Sequence, residues 1–107
     1  MPKELMGERA SQAGDDMAQT ILRLEMVRRQ LSNRDLVRLL KQININENER
    51  NLSNKIARGK FPAGFLLLCF FAMGVEAVRL DYDYAYLREK WGLERPLPPP
   101  GPVVIRP

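Results

Sequence analysis

The sequence predicts a small all-α domain of four to five helices. Its apolar residues recur at steps of three and four, as they do on one face of an α-helix. Capping residues, glycines and prolines separate these segments at plausible helix ends. With 107 residues, of which 45% are hydrophobic and 7% aromatic, the chain has room for one domain with a small core.

The first helix is predicted from an apolar stripe. Steps of four, three, three and four residues join the members of this stripe: Met17, Ile21, Leu24, Val27 and Leu31. This spacing predicts an amphipathic helix of about four turns that buries the stripe. Residues 1–15 show no such periodicity and are interpreted as a flexible N-terminal arm that precedes a domain at residues 16–92.

The second helix is predicted to begin near Asn33. Ser32 is suited to be its N-cap, with Asp35 three residues later as in a capping box. Leu36 and Leu40 then fall on one face of the helix. A stretch rich in asparagine and isoleucine follows at residues 42–48 and favours a turn.

The third helix is predicted to span about residues 47–58. Asn46, with Glu49 three residues later, can cap its start, and Gly59 can end it. Leu52 and Ile56 lie one turn apart and supply its buried pair.

The fourth helix is predicted from an uncharged stretch at residues 61–75, with Pro62 in its first turn and Gly74 at its end. Because a bilayer span needs about 20 residues, this segment predicts a buried helix and no membrane partner. A helix that is hydrophobic nearly all round must be covered on most sides. Packing against the first three helices is one way to cover it, and a homodimer or another partner is the second. Cys69 is expected to be a small buried hydrophobe.

The segment after Gly74 gives two competing patterns. Residues 81–86 alternate as a strand would, whereas Leu80, Tyr84, Leu87 and Trp91 share one helical face. We expect a fifth helix over residues 82–90, with an exposed aromatic arm as the alternative. Residues 93–107 form a proline-rich tail that cannot continue a helix and is expected to be extended, either as a solubilising end or lying on a partner.

The composition excludes several functional classes. The chain has no histidine and one cysteine, so it can form neither a histidine-activated nucleophile nor an intramolecular disulfide nor a four-cysteine metal site. Two pairs of carboxylates, Asp81 with Asp83 and Glu47 with Glu49, are better explained by helix starts, where negative charge is favourable. We therefore expect no enzymatic activity, no cofactor and no metal. The polar N-terminal segment does not resemble a secretion signal, which predicts a cytoplasmic location.

Positive charge is concentrated in one block of the chain. The formal net charge is +4, but residues 20–60 hold ten cations and four anions, a net of +6, while residues 61–107 are balanced. A basic block of this kind suits a polyanionic partner.

A short helix, a turn and a second helix, flanked by one helix on each side, is the plan of a helix-turn-helix DNA reader. Residues 31–40, Leu-Ser-Asn-Arg-Asp-Leu-Val-Arg-Leu-Leu, resemble the Leu-Ser-x-x-x-Leu-Ala-x-x-Leu second helix of the lambda-repressor and Cro-like (XRE-type) superfamily of bacterial regulators. Residues 55–60, Lys-Ile-Ala-Arg-Gly-Lys, are similar to the Ile-x-x-Gly-Lys that ends its recognition helix. The resemblance covers residues 21–75. The run from residue 51 to 61 also resembles an uncharacterised proteobacterial domain family with the same helical plan.

Two features depart from the superfamily pattern. The segment from Leu40 to Gly59 is about six residues longer than usual, and Asn33 stands where a glutamine is usual. The longer turn leaves open how the third helix is aimed into a groove.

The third helix provides candidates for base recognition. At about 100° per residue, the face opposite Leu52 and Ile56 carries polar side chains. Arginine can pair with guanine and asparagine with adenine in the major groove. The base-edge candidates are Arg50, Asn51 and Asn54.

Other polar residues around the same helices are candidates for phosphate contact, which positions a protein without specifying sequence. They are Arg28, Arg29, Asn33, Arg34, Lys55, Arg58 and Lys60. We therefore expect a sequence-specific double-stranded DNA-binding transcription regulator, nucleoid-associated in a bacterial cytoplasm. The alternative is an adaptor that contacts RNA polymerase or another regulator without reading a groove. The carboxylates Glu47 and Glu49, which would repel phosphate, favour this alternative.

Overall fold

The structure is a computed structural model that describes residues 3–96, with side chains from Gly7 onward. This part of the chain is all-helical, as predicted, and contains no strand. Its five helices are α1 (Lys3–Arg28), α2 (Asn33–Gln42), α3 (Glu49–Arg58), α4 (Ala63–Met73) and α5 (Tyr84–Trp91). Helix α2 packs against α3 and α4, and α1 packs against α4 and α5.

Helix α1 differs from the prediction at its start. Residues 3–15, expected to be a flexible arm, form the first half of a 26-residue helix. Few apolar residues mark this half, although Ala13 within it is buried. Directly after it, Asp16 accepts hydrogen bonds from Tyr86 and Trp91 of α5.

The face that α1 buries also differs from the predicted stripe. Leu22 and Met26 enter the core, whereas Leu24 and Val27 are exposed. Met17, Ile21 and Leu24 instead line a cavity between α1 and the chain that leads into α5. The helix thus carries two apolar stripes. Periodicity alone did not distinguish the stripe that meets α4 from the one that meets the C-terminal segment.

The start of α2 agrees with the prediction. The Ser32 hydroxyl accepts a hydrogen bond from the Asp35 backbone N–H, and the Asp35 carboxylate accepts one from the Ser32 backbone N–H at 2.8 Å. The Ser32 hydroxyl also donates to this carboxylate at 2.9 Å. The two bonds that the carboxylate accepts from Ser32, first the backbone one and then the hydroxyl one, hold the pKa of Asp35 below its usual value.

The connection between α2 and α3 accommodates its extra length as an irregular turn. Asn44 adopts the left-handed conformation, with φ of 64°, and Ile43 and Ile45 pack against the core on either side of it. The start of α3 is capped by Asn48, which accepts a hydrogen bond from the Asn51 backbone N–H at 2.7 Å, and not by Asn46 as predicted. The end of α3 at Gly59 is as predicted.

One core cluster joins α1 to α4. Its buried members are Leu22, Met26, Leu36, Leu40, Leu52, Ile56, Cys69, Phe70 and Met73. Each large aliphatic or aromatic side chain contributes about 1.5–3 kcal/mol by leaving water. Leu52 and Ile56 are the anchors of α3 in this cluster, as the sequence predicted.

Helix α4 is covered on one side only. Cys69, Phe70 and Met73 are buried, whereas Leu67 and Phe71 are largely exposed. The helix ends at Gly74 as expected, while Pro62 is its N-cap residue and not part of its first turn. Within residues 3–96, no helix has both the length and the apolarity that crossing a bilayer requires.

Helix α5 is held against α1 through Asp16. The Tyr86 hydroxyl and the Trp91 indole N–H both donate to the Asp16 carboxylate, at 2.8 and 3.2 Å. The helix begins at Tyr84, two residues after the predicted start, because Asp83 caps it. Residues 93–96 are irregular, and the rest of the proline-rich tail, residues 97–107, lies outside the described residues.

Candidate nucleic-acid interface

The outward face of α3 presents the three base-edge candidates together. Arg50, Asn51 and Asn54 are all exposed, on the side of the helix opposite the buried Leu52 and Ile56. Arg58 continues this face by one turn and donates from Nε to the Asn54 carbonyl oxygen at 3.4 Å. The face therefore combines two guanidinium and two amide side chains within ten residues of helix.

Two hydrogen-bonded contacts hold α3 against its neighbours. Asn33, at the first residue of α2, donates from its side-chain amide to the Ser53 hydroxyl at 2.8 Å. At the other end, the Gln19 amide of α1 donates to the carbonyl oxygens of Ile56 and Ala57 at 2.7 and 3.1 Å. The side-chain amide of Asn33, a phosphate-contact candidate, thus positions α3. Gln19 was not found from sequence, because its partners lie almost forty residues away.

Gly59 ends α3 in a left-handed backbone conformation, with φ of +67°. An added Cβ would lie 3.5 Å from Gln19 Cβ, an ordinary van der Waals contact, so the space beside α1 does not exclude a side chain. The backbone conformation does, because a residue with a side chain would be strained there. The glycine therefore ends α3 next to the carbonyl groups that Gln19 contacts.

Lys55 differs from the other phosphate-contact candidates because it is turned into the protein. Its ammonium group forms an ion pair with Glu47 and lies 4.4 Å from the centre of the Phe65 ring. Both ionic side chains are mostly covered. The pair joins the turn, α3 and α4, and it also removes from the surface one carboxylate that would repel phosphate.

The arginines at the end of α1 share a buried carboxylate. Glu25 is buried and pairs with Arg28 at 3.1 Å and with Arg29. Arg34 of α2 makes a longer, exposed contact of 3.5 Å with Glu49 of α3. These three candidates keep part of their donor capacity inside the protein, which reduces the positive charge each presents to a polyanion.

The exposed face of α2 adds two cations that the sequence-based set did not include. Arg38 and Lys41 follow Arg34 at steps of four and three residues, and all three are exposed, opposite the buried Leu36 and Leu40. The same periodicity argument that selected α3 residues would have found them. Lys60, just after Gly59, is exposed as well.

Cys69, the single cysteine of the chain, is buried. Burial raises the pKa of the Cys69 thiol to about 12, so it remains protonated, and it is the small buried hydrophobe that the sequence predicted. No group of three or more cysteine or carboxylate side chains among these residues is placed to hold a metal ion.

Together these observations define an all-helical domain in which α2, a six-residue turn and α3 expose a polar and basic face. The chain belongs to the family described as a domain of unknown function (DUF6471), whose model matches residues 15–78. The matched span runs from the second half of α1 to the chain after α4, and α5 lies outside it. Neither a curated protein nor a solved structure matches the chain.

Proposed function

We propose that this protein binds double-stranded DNA sequence-specifically, inserts α3 into the major groove, and regulates transcription in the bacterial cytoplasm as a nucleoid-associated factor. The observation that carries the proposal is the shared exposure of Arg50, Asn51 and Asn54 on one face of α3. Arginine pairs with the O6 and N7 acceptors of guanine, and asparagine pairs with adenine.

The dimensions and charges of the helix pair support this proposal. Ten residues of α-helix are about 15 Å long, and a major groove about 12 Å wide accommodates a helix of this size. The cations Arg34, Arg38 and Lys41 along α2, with Arg58 at the end of α3 and Lys60 beyond it, would bracket the groove. The resemblance of residues 31–40 and 55–60 to lambda-repressor and Cro-like regulators supports the same docking.

The test is enrichment from a random duplex library at low salt, followed by binding of the enriched site. We expect Arg50→Ala and Asn54→Ala each to cost about 1–3 kcal/mol on that site and little on random duplex. Arg88→Ala is the matched control, because Arg88 is an exposed arginine of α5, outside α2 and α3. Equal losses of affinity on the enriched site and on random duplex would mean that Arg50 and Asn54 contact the DNA backbone and do not read bases.

Salt dependence separates phosphate contact from other binding. If about five phosphates are neutralised, the logarithm of affinity should fall against the logarithm of salt concentration with a slope near −4.5, from about −0.9 per contact. Arg38→Ala should remove one phosphate contact and make this slope shallower by about 0.9. A slope near zero would contradict the proposal.

A protein-interaction adaptor, for RNA polymerase or another regulator, is the second candidate function. The exposed apolar residues of α4, above all Leu67 and Phe71, favour it, because they form a surface typical of protein contacts. The adaptor predicts no retention of duplex at low salt. A defined enriched sequence motif would contradict it.

A further inference from the structure

The exposed face of α4 carries large apolar side chains with no cover. Leu67 is 65% exposed and Phe71, one turn later, is 70% exposed. These two large side chains are adjacent on one helix. In a monomer they form an apolar surface that is exposed to water. The core does not need them, because Cys69, Phe70 and Met73 already fill the opposite side of the helix.

Two neighbouring grooves extend this surface across the molecule. One, of about 430 Å³, lies between α4 and the chain after it, and the second, of about 190 Å³, lies between α1 and the start of α5. Ile21 and Leu80 line both grooves, so the two are adjacent. We call this surface the apolar strip, with the members Ile21, Leu24, Leu67, Phe71, Leu80 and Tyr82.

The charges around the apolar strip suit pairing with an identical surface. Its centre on α4 is uncharged, since no charged residue occurs from Phe61 to Val75. Its border has both signs: Arg28 and Arg79 are cationic, Asp16, Glu76, Asp81 and Asp83 are anionic, and Arg79 pairs with Asp81 within the chain. In a twofold arrangement the same patch meets itself, so a border of mixed sign can form opposite-charge contacts without a central like-charge clash.

The apolar strip leaves the surfaces of α2 and α3 open, and among the phosphate-contact candidates Arg28 alone lies at its border. The residues lining both grooves belong to α1, α4, α5 and the chain between α4 and α5, and none belongs to α2 or α3. The basic block of the sequence presents its exposed cations mainly on those two helices. Two copies can therefore meet through the strip without bringing these basic surfaces into contact.

We propose that a second copy of this chain covers the apolar strip and makes a twofold dimer, with Phe71 and Leu67 as its central anchors. The pairing itself is independent of the proposed function. Its consequence, that two α3 helices contact two half-sites of one duplex, rests on that function. A dimer also accounts for the fourth helix being apolar nearly all round, because its second side is covered by the other copy.

The test measures the mass of the full chain in solution by sedimentation or light scattering across the micromolar range. The expected mass is twice the 12.3 kDa of one chain. Phe71→Lys and Leu67→Lys should each weaken dimerisation by at least about tenfold, as loss of a central anchor does. Both sites are largely exposed, so helicity and the unfolding midpoint should be retained.

Val27→Lys is the matched control. Val27 is 73% exposed, lies near the end of its helix like Phe71, and lines neither groove. It adds the same charge and should leave the dimer intact. A wild-type chain that stays monomeric, or a Val27→Lys variant as disruptive as Phe71→Lys, would overturn the proposed dimer.

DNA binding separates failure of the dimer from failure of the proposed function. With both correct, Phe71→Lys should keep the affinity of Val27→Lys for a single half-site and lose the steeper, tighter binding to two half-sites. A dimer that does not bind DNA would contradict the proposed function and support the dimer. A monomer that binds one half-site would support the proposed function and contradict the dimer.

Discussion

Replacing Gln19 with alanine tests how α1 fixes the end of α3. The change removes two hydrogen bonds, of 2.7 Å to the Ile56 carbonyl oxygen and 3.1 Å to that of Ala57. A typical intramolecular hydrogen bond contributes about 0.5–1.5 kcal/mol net. The Ile56 oxygen keeps a bond from the Gly59 backbone N–H at 3.0 Å, and Ala57 is exposed to water, so neither oxygen is left buried without a partner.

These terms predict a loss of about 1–2 kcal/mol in the free energy of unfolding. For a domain of this size, that corresponds to a melting temperature lower by roughly 5–15 °C. Urea unfolding followed by circular dichroism measures the loss. Hydrogen exchange should show faster opening of the last turn of α3, with less change at the Leu40 end of α2.

Gln12→Ala is the matched control, because Gln12 is an exposed glutamine on the same helix. Both substitutions gain the same helix propensity, a few tenths of a kcal/mol, so the difference between them isolates the contact with α3. Gln12→Ala should change stability by less than about 0.5 kcal/mol. Equal effects of the two substitutions would refute the argument that Gln19 holds the end of α3.

Three other predictions follow from single sites. The folded pKa of Asp35 lies below its unfolded value, so the stabilisation by its carboxylate is present above about pH 4 and is lost as the pH falls through the folded pKa. Asp35→Asn should therefore lower the free energy of unfolding at neutral pH and flatten its dependence on acid pH in unfolding titrations. Cys69, buried with a pKa of about 12, should resist thiol reagents at neutral pH until denaturant is added, and rapid labelling of the native protein would contradict its burial. Asp16→Ala should release α5 from α1 and shift the fluorescence of Trp91, the single tryptophan, to longer wavelength, whereas an unchanged spectrum would mean that the Asp16 contacts do not hold the helix.

Local chemistry made part of the fold predictable. The capping box of α2 depends on Ser32 and Asp35, three residues apart, and the left-handed ends of α3 and α4 depend on Gly59 and Gly74. Each of these features needs only its neighbours in the chain, so each was found from sequence. The burial of Leu52 on α3 followed from periodicity, because a ten-residue helix packed on one side has one apolar stripe.

The remaining features were not determined by the local pattern alone. Asn46 and Asn48 are both residues that can cap a helix, and the structure uses Asn48. Within the candidate interface, the exposed positions of Arg50 and Asn54 were predictable from helix geometry. The engagement of Lys55 with Glu47 was not, because that pairing depends on the path of the turn and on the ring of Phe65.

The sequence by itself determined that the described part of the chain is all-α, where α2, α3 and α4 end, and which face of α3 points outward. These properties depend on side chains within one or two turns of each other. Only the tertiary structure decided which stripe of α1 enters the core, that residues 3–15 continue that helix, and that Gln19 caps α3. Those outcomes depend on which element packs against which. A long helix with two apolar stripes can bury either stripe, and its packing partners decide which one enters the core.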